Sequence, residues 1–292
     1  MTTHLVAGLF FSMDDELRLL AEHNNYSPFR TEKTINKSEY LFHVETGSYI
    51  EVEPETNSNL TAYSNENGSY SVHYSNGRYY WKLTRTGDER CYGMLLDLND
   101  KKAILNFKVE DERAILAAND FLRFAFIYTA AFHQTIILHA SCIAYQGDGI
   151  VFTGHSGVGK STHSSLWLKY IEGAELLNDD QPAVKIENNK IIIFGTPWSG
   201  KTDCYKQMNA ELKAIVCLQQ APENKLTDIS TMTLFSHLLP ECSLMKTDKA
   251  TMPMLINTLA KIAEKVKGSI LENRPEKDAV QLSYEFLTHN KS

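Results

Sequence analysis

Basic side chains are short relative to acidic ones in this 292-residue sequence, with 29 Lys and Arg against 36 Asp and Glu, for a formal charge of −7. That balance excludes a protein built for unspecific nucleic-acid binding, which needs a basic footprint. Cysteine is sparse too. Cys91, Cys142, Cys204, Cys217 and Cys242 are odd in number, widely scattered and never arranged as C-x-x-C. Neither a disulfide framework nor a structural zinc site is indicated, and reduced, buried thiols are expected. The apolar run at residues 5–11 meets Asp14 and Asp15 at once, with no basic leader and no small-residue cleavage site, and is not read as a signal peptide. Residues 124–144 contain His133, Gln134 and His139 and turn from helical to β-branched character near Thr135. They read as a buried helix running into a strand rather than a membrane span. There is no internal repeat or low-complexity tract. The expectation is a cytoplasmic protein with no membrane and no nucleic acid among its partners.

What is present is an ordinary globular composition, 43% hydrophobic and 22% charged, at a length that suggests two domains. Residues 34–109 form short alternating runs, 40–44, 71–74 and 79–83, split by Gly47-Ser48, Asn65-Glu66-Asn67-Gly68 and Ser75-Asn76-Gly77. The last is a strong hairpin signal, and the whole reads as a β-rich unit whose tyrosines are strand residues. A helix is predicted from Asp111 to about Phe132, apolar on most sides in its second half and opened by two acidic residues. It is expected as a buried hinge element. The boundary is set near residue 105, giving a β-rich domain at 1–105 and a second domain at 106–292.

Gly154-His155-Ser156-Gly157-Val158-Gly159-Lys160-Ser161 fits G-x-x-x-x-G-K-[ST], the phosphate-binding (Walker A) loop, followed by Thr162. At ordinary residue usage such a match arises by chance in about 1% of chains of this length. A buried-type strand at 150–153 enters the loop and a helix at 162–170 leaves it. Glycines let successive N–H groups turn inward and the helix adds its positive end, so the loop is a preformed anion cradle. Lys160 would reach the β- and γ-phosphates and the Ser161 hydroxyl would ligate Mg²⁺.

Upstream, residues 135–145 read as one strand returning through a hairpin into 149–153. With Gly147 and Asp148 as its turn, Cys142 faces Thr153, His139 comes beside the loop, and His139, Ser141, Ile143 and Tyr145 share a face. Downstream, a strand at 175–177 delivers Asn178-Asp179-Asp180 about twenty residues after the loop lysine. One carboxylate can hold a metal-bound water while the other takes a proton from a hydroxyl. A hairpin, 183–187 and 190–194, opens into Gly195-Thr196-Pro197-Trp198-Ser199-Gly200-Lys201. That loop is read either as a cover over a ligand, with Lys201 neutralising phosphate charge, or as a rigid turn anchored by Trp198. Arg274, between a strand at 270–273 and Pro275 at a helix start, is a candidate transition-state clamp. Residues 252–266, with Leu255, Ile256, Leu259 and Ile262 at helical spacing, read as a core-facing helix.

On Leu138-His139-Ala140-Ser141, the hairpin into the Gly154–Ser161 motif and Asn178-Asp179-Asp180, residues 135–292 resemble the HPr kinase/phosphorylase and phosphoenolpyruvate-carboxykinase type of P-loop protein. The resemblance implies an α/β fold with a mixed-sheet nucleotide-binding domain behind the β-rich unit. It implies His139, Lys160 and Asp180 as catalytic residues, Asp180 being the proton acceptor; Arg274 joins them as a catalytic candidate from its position alone. Residues 154–162 would bind nucleotide, and Ser161 with Asp179 would bind metal; from the residues alone the two aspartates stay interchangeable. Thr196-Pro197-Trp198 stands where those kinases carry a glutamate-containing loop. The expected activity is transfer of a γ-phosphoryl group from ATP or GTP, with Mg²⁺, to a hydroxyl of an unidentified small molecule, peptide or protein. A nucleotide-binding regulatory or assembly protein, a homo-oligomer, and a carboxykinase-like enzyme stay open.

Overall fold

The computed structural model describes residues 1–33, 35–49, 61–65, 68–200, 202–244 and 248–289. The chain is an α/β protein with two mixed sheets and forms two compact units, Met1–Ala130 with Met245–Ala250, and Ala131–Leu244 with Thr251–Ser292. The division therefore falls about 25 residues later than the expected one near residue 105.

The first unit opens with β1 (Thr2–Val6) and β2 (Leu9–Met13), a hairpin turned at Ala7 and Gly8, both at positive φ. The short helix α1 (Arg18–Ala21) and β3 (Arg30–Thr31) follow, then β4 (Tyr40–Thr46), β5 (Thr61–Asn65), β6 (Gly68–Ser75), β7 (Arg78–Arg85), β8 (Cys91–Asp97) and β9 (Lys102–Leu105). Sheet order is β3-β1-β2-β4-β9-β8-β7-β6-β5, with β4 parallel to β2 and β9. Asn76 and Gly77 make the expected two-residue turn, both at positive φ, with Ser75 facing Arg78. Glu66 and Asn67 of the other expected turn lie outside the described residues.

Helix α2 (Glu112–Ala130) is capped by Asp111, whose carboxylate accepts from the Ala114 N–H at 2.8 Å. With the 3₁₀ turn after it, it is long and apolar enough to cross a membrane. It packs instead on its own unit's sheet: Phe124 stacks on Trp81 at 4.3 Å, Tyr128 meets Tyr79 at 4.6 Å, and Asp120 takes Arg85 at 2.6 Å. Sequence reading gave the helix correctly but not its allegiance, because an apolar surface does not say which sheet it covers.

In the second unit β10 (Thr135–Ile137), β11 (Ala140–Tyr145) and β12 (Asp148–Thr153) lead to helix α3 (Lys160–Tyr170). Then come β13 (Ala174–Asn178), β14 (Ala183–Glu187), β15 (Lys190–Phe194), β16 (Asn209–Gln220), β17 (Lys225–Ile229), α4 (Thr231–Glu241), α5 (Met252–Lys265), β18 (Lys267–Asn273) and α6 (Lys277–Thr288). The order is β10-β14-β15-β16-β12-β11-β13, with β18 on the second half of β16 and β17 beyond it; β12, β16 and β18 run parallel. The hairpin β14–β15 turns at Asn188 and Asn189, both at positive φ, as expected. Helices α3 and α6 cover β12 and β16 with Phe152, Trp167, Val216 and Val280 in one core cluster. Ile256, expected in the core, is 42% exposed; Leu255, Leu259 and Ile262 of α5 are buried.

Two expectations about the strand before the loop are corrected. It is two strands: β10 pairs with β14, whereas β11 pairs with β12 and β13. The hairpin turns at Gln146 and Gly147, φ 53° and 86°, so Tyr145 faces Asp148 and Cys142 faces Val151. A two-residue turn of this hand needs positive φ at both positions, and Gln146-Gly147 supplies it. The slip is two residues, so the facing survives: Ser141 bonds Ser164 of α3 at 2.6 Å and Tyr145 meets Tyr284 of α6.

Buried histidines are expected to make both units acid-sensitive. His4 in β1 and His163 in α3 are 0% and 1% exposed, and burial lowers each to about 4 from an ordinary 6.5. The unfolded chain then takes up protons first, so stability is whole above about pH 6.5 and drains as pH falls toward 4. Denaturant midpoints are expected to drop across that window, and His163→Gln to flatten the slope. An unchanged midpoint from pH 7 to 4.5 would refute this.

Candidate functional site

Strand β12, central in its sheet, brings the chain to Gly154. Gly154, Gly157 and Gly159 sit at φ 137°, 80° and 110°, which side chains resist. A Cβ at Gly154 would also lie 3.0 Å from the Leu218 carbonyl oxygen, whereas Gly157 and Gly159 have open space beside them. Val158, 3% exposed, plugs the loop into the core, and α3 begins at Lys160 with its first N–H groups at the loop. His155, Ser156, Ser161 and Thr162 are exposed. Lys160 is only 8% exposed, and its Nζ donates to the carbonyls of Gly154 at 2.7 Å and His155 at 3.4 Å. Burial lowers its pKa, opposed by the charges of Glu241 and Asp180.

Those two carboxylates meet around His139. Its Nε2 lies 3.4 Å from Asp180 Oδ1 and its Nδ1 3.7 Å from Glu241 Oε2. The backbone fixes all three: His139 N–H donates to the Glu241 carbonyl at 2.7 Å and Ala140 N–H to the Asp180 carbonyl at 3.0 Å. Leu138 also bridges to Cys242 at the end of α4. The break between β10 and β11 is thus where His139 leaves the sheet toward the acids. Glu241 was not foreseen. It sits in a helix 81 residues after the loop lysine, and no local pattern marks it.

The two aspartates have different surroundings. Asp180 belongs with His139 and Lys160. Asp179, 5% exposed, accepts from Ser199 Oγ at 2.8 Å and Gly200 N at 2.9 Å through Oδ1, while its buried Oδ2 has no hydrogen-bond partner among the described residues. Asn178, fully buried, ties this segment down. Its Oδ1 accepts from the N–H groups of Asp180 and Gln181 at 2.9 and 2.8 Å, and its Nδ2 donates to Thr196 Oγ1 and the Trp198 carbonyl at 3.3 and 3.1 Å. Stranding buried donors costs roughly 1–3 kcal/mol each, so this residue stiffens both loops. With Trp198 3% exposed, the Gly195–Gly200 stretch is a rigid turn against the aspartates. Lys201 lies outside the described residues.

Arg274 does not join this cluster. Its Nη2 pairs with Glu276 at 2.9 Å, its N–H donates to Asn224 Oδ1 at 2.8 Å, and its side chain is 57% exposed. It lines a separate cleft beside Gly157 and Thr162. None of the five cysteines is in a disulfide; Cys91 is exposed, and burial raises the Cys142 thiol and pushes that of Cys217 up to about 12.

No protein-family model and no curated protein matches the chain. Among solved structures it is similar to the HPr(Ser) kinase/phosphatase from Coxiella burnetii at 18% identity, over 53% of this chain and 88% of that one, with a TM-score of 0.29.

Proposed function

We propose that the second unit binds a nucleoside triphosphate, ATP or GTP, and transfers its γ-phosphoryl group to a hydroxyl of a small molecule, peptide or protein. One observation carries this reading. A nearly buried lysine at the mouth of a glycine-built anion cradle feels the charge of Asp180, whose main-chain carbonyl accepts from Ala140 N–H, next to His139, and whose carboxylate lies 3.4 Å from His139 Nε2.

The triphosphate lies along the loop N–H groups and the start of α3, and Lys160 exchanges its loop carbonyls for phosphate oxygens. Asp180 accepts the proton of the acceptor hydroxyl. The hydroxyl oxygen forms its bond to the γ-phosphorus, the bond from that phosphorus to the β–γ bridging oxygen breaks, and the nucleoside diphosphate leaves. His139, between Asp180 and Glu241, positions the base. Magnesium fits the residues present: Asp179 Oδ2 is a buried carboxylate oxygen without a partner among the described residues, and Ser161 is exposed at the start of α3. These two would hold the ion, which when bound neutralises charge on the phosphate chain.

Calorimetry on the whole chain tests the reading. ATP or GTP with magnesium is expected to give saturable heat at one site, and flat titrations with both overturn it.

A further inference from the structure

A cleft of about 290 Å³ opens beside the loop, between Gly157, Gly159 and Thr162 on one side and Gln220, Asn273 and Arg274 on the other. It is separate from the Asp180–His139–Glu241 group and plays no part in the transfer described above. Its size sits at the small end of small-molecule clefts, roughly 300 Å³ upward, right for a base with its sugar. Three observations bear on what fills it. Asn273, 8% exposed, keeps a buried side-chain carbonyl oxygen with no hydrogen-bond partner among the described residues. An acceptor in that state gains from any donor a ligand brings.

Arg274 is held at one edge. Among the described residues its side chain has a single ion pair, through Nη2 to Glu276, and Glu276 is braced in turn by Asn224 Nδ2 at 2.7 Å. A guanidinium fixed by its rim and 57% exposed offers its flat face to an aromatic ring. Gln220 Nε2 donates to the Gly157 carbonyl at 3.2 Å, tying the end of β16, and so the wall carrying Asn273, to the loop.

We propose that this cleft is the nucleoside seat, in which a purine base lies against the guanidinium plane of Arg274 and the sugar passes Thr162 as the phosphates turn into the loop. The inference rests on the nucleotide reading of the loop and assigns Arg274 to base binding instead of the transferring phosphoryl group. Stacking favours the larger ring, so ATP and GTP bind ahead of UTP.

The test is calorimetry of the whole chain, wild type and Arg274→Ala and Arg274→Lys, against Mg-ATP, Mg-UTP and Mg-tripolyphosphate. Wild type is expected to bind ATP at least about tenfold more tightly than tripolyphosphate, with UTP between. Both variants are expected to lose about tenfold for ATP with tripolyphosphate unmoved; Lys fails as Ala does because it keeps the charge but not the plane. Equal wild-type affinities for ATP and tripolyphosphate overturn the seat and leave the phosphate cradle standing. A parallel loss of both ligands in Arg274→Ala, rescued by Lys, overturns it in favour of a phosphate clamp. No binding of any ligand removes the nucleotide reading itself, and the seat with it.

Discussion

Asp180→Asn is expected to lower phosphoryl transfer by roughly 10² to 10⁴-fold, the usual worth of a positioned general base, while nucleotide binding persists. Asparagine keeps the size of the side chain, and the Asp180 backbone bonds to Asn178 and Ala140 do not depend on the carboxylate. What disappears is the group able to take the hydroxyl proton next to His139. Label transfer from γ-³²P-ATP to any acceptor the wild type phosphorylates measures the loss, and calorimetry shows whether nucleotide still binds. Full turnover in Asp180→Asn would remove Asp180 as the base; the same substitution abolishing ATP binding would reassign it to the phosphate or metal site.

Lys160→Met should cost binding and transfer together, by roughly 10² to 10³, because its ammonium is the cation built into the cradle. The fold should not suffer. Lys160 is 8% exposed and desolvated, bonded to two loop carbonyls, so an apolar chain of similar length removes an expensive charge. The thermal midpoint is therefore expected to hold or rise while Mg-ATP affinity collapses. A variant with wild-type affinity defeats the assignment; a variant that unfolds shows that the lysine holds the loop rather than a ligand.

Much of the site was legible because it is local. The loop at Gly154–Gly159 shows itself as three glycines at positive φ within six residues, and the turns at Asn76-Gly77 and Asn188-Asn189 advertise the same backbone requirement. Gln146-Gly147 obeyed that rule too, but the competing pair Gly147-Asp148 has equal appeal on paper. Only the ladder between β11 and β12 separates them. The aspartates could be found by their distance from the loop, yet not told apart. Asp179 turns to Ser199 and Gly200 because Asn178 binds two backbone N–H groups and pulls the following turn into one shape.

Sequence alone determined the glycine-rich strand–loop–helix, the β-rich character of the first hundred residues and the acid pair that follows the loop. All of these depend on dihedral preferences and periodicity within a dozen neighbouring residues. Tertiary structure decided the rest: that α2 belongs with the first sheet, that Glu241 arrives from α4 to face His139, and that Arg274 lines its own cleft. Those outcomes depend on which distant surfaces pair, and such pairing is set by the burial and hydrogen bonds of the whole unit, which no short stretch of residues contains.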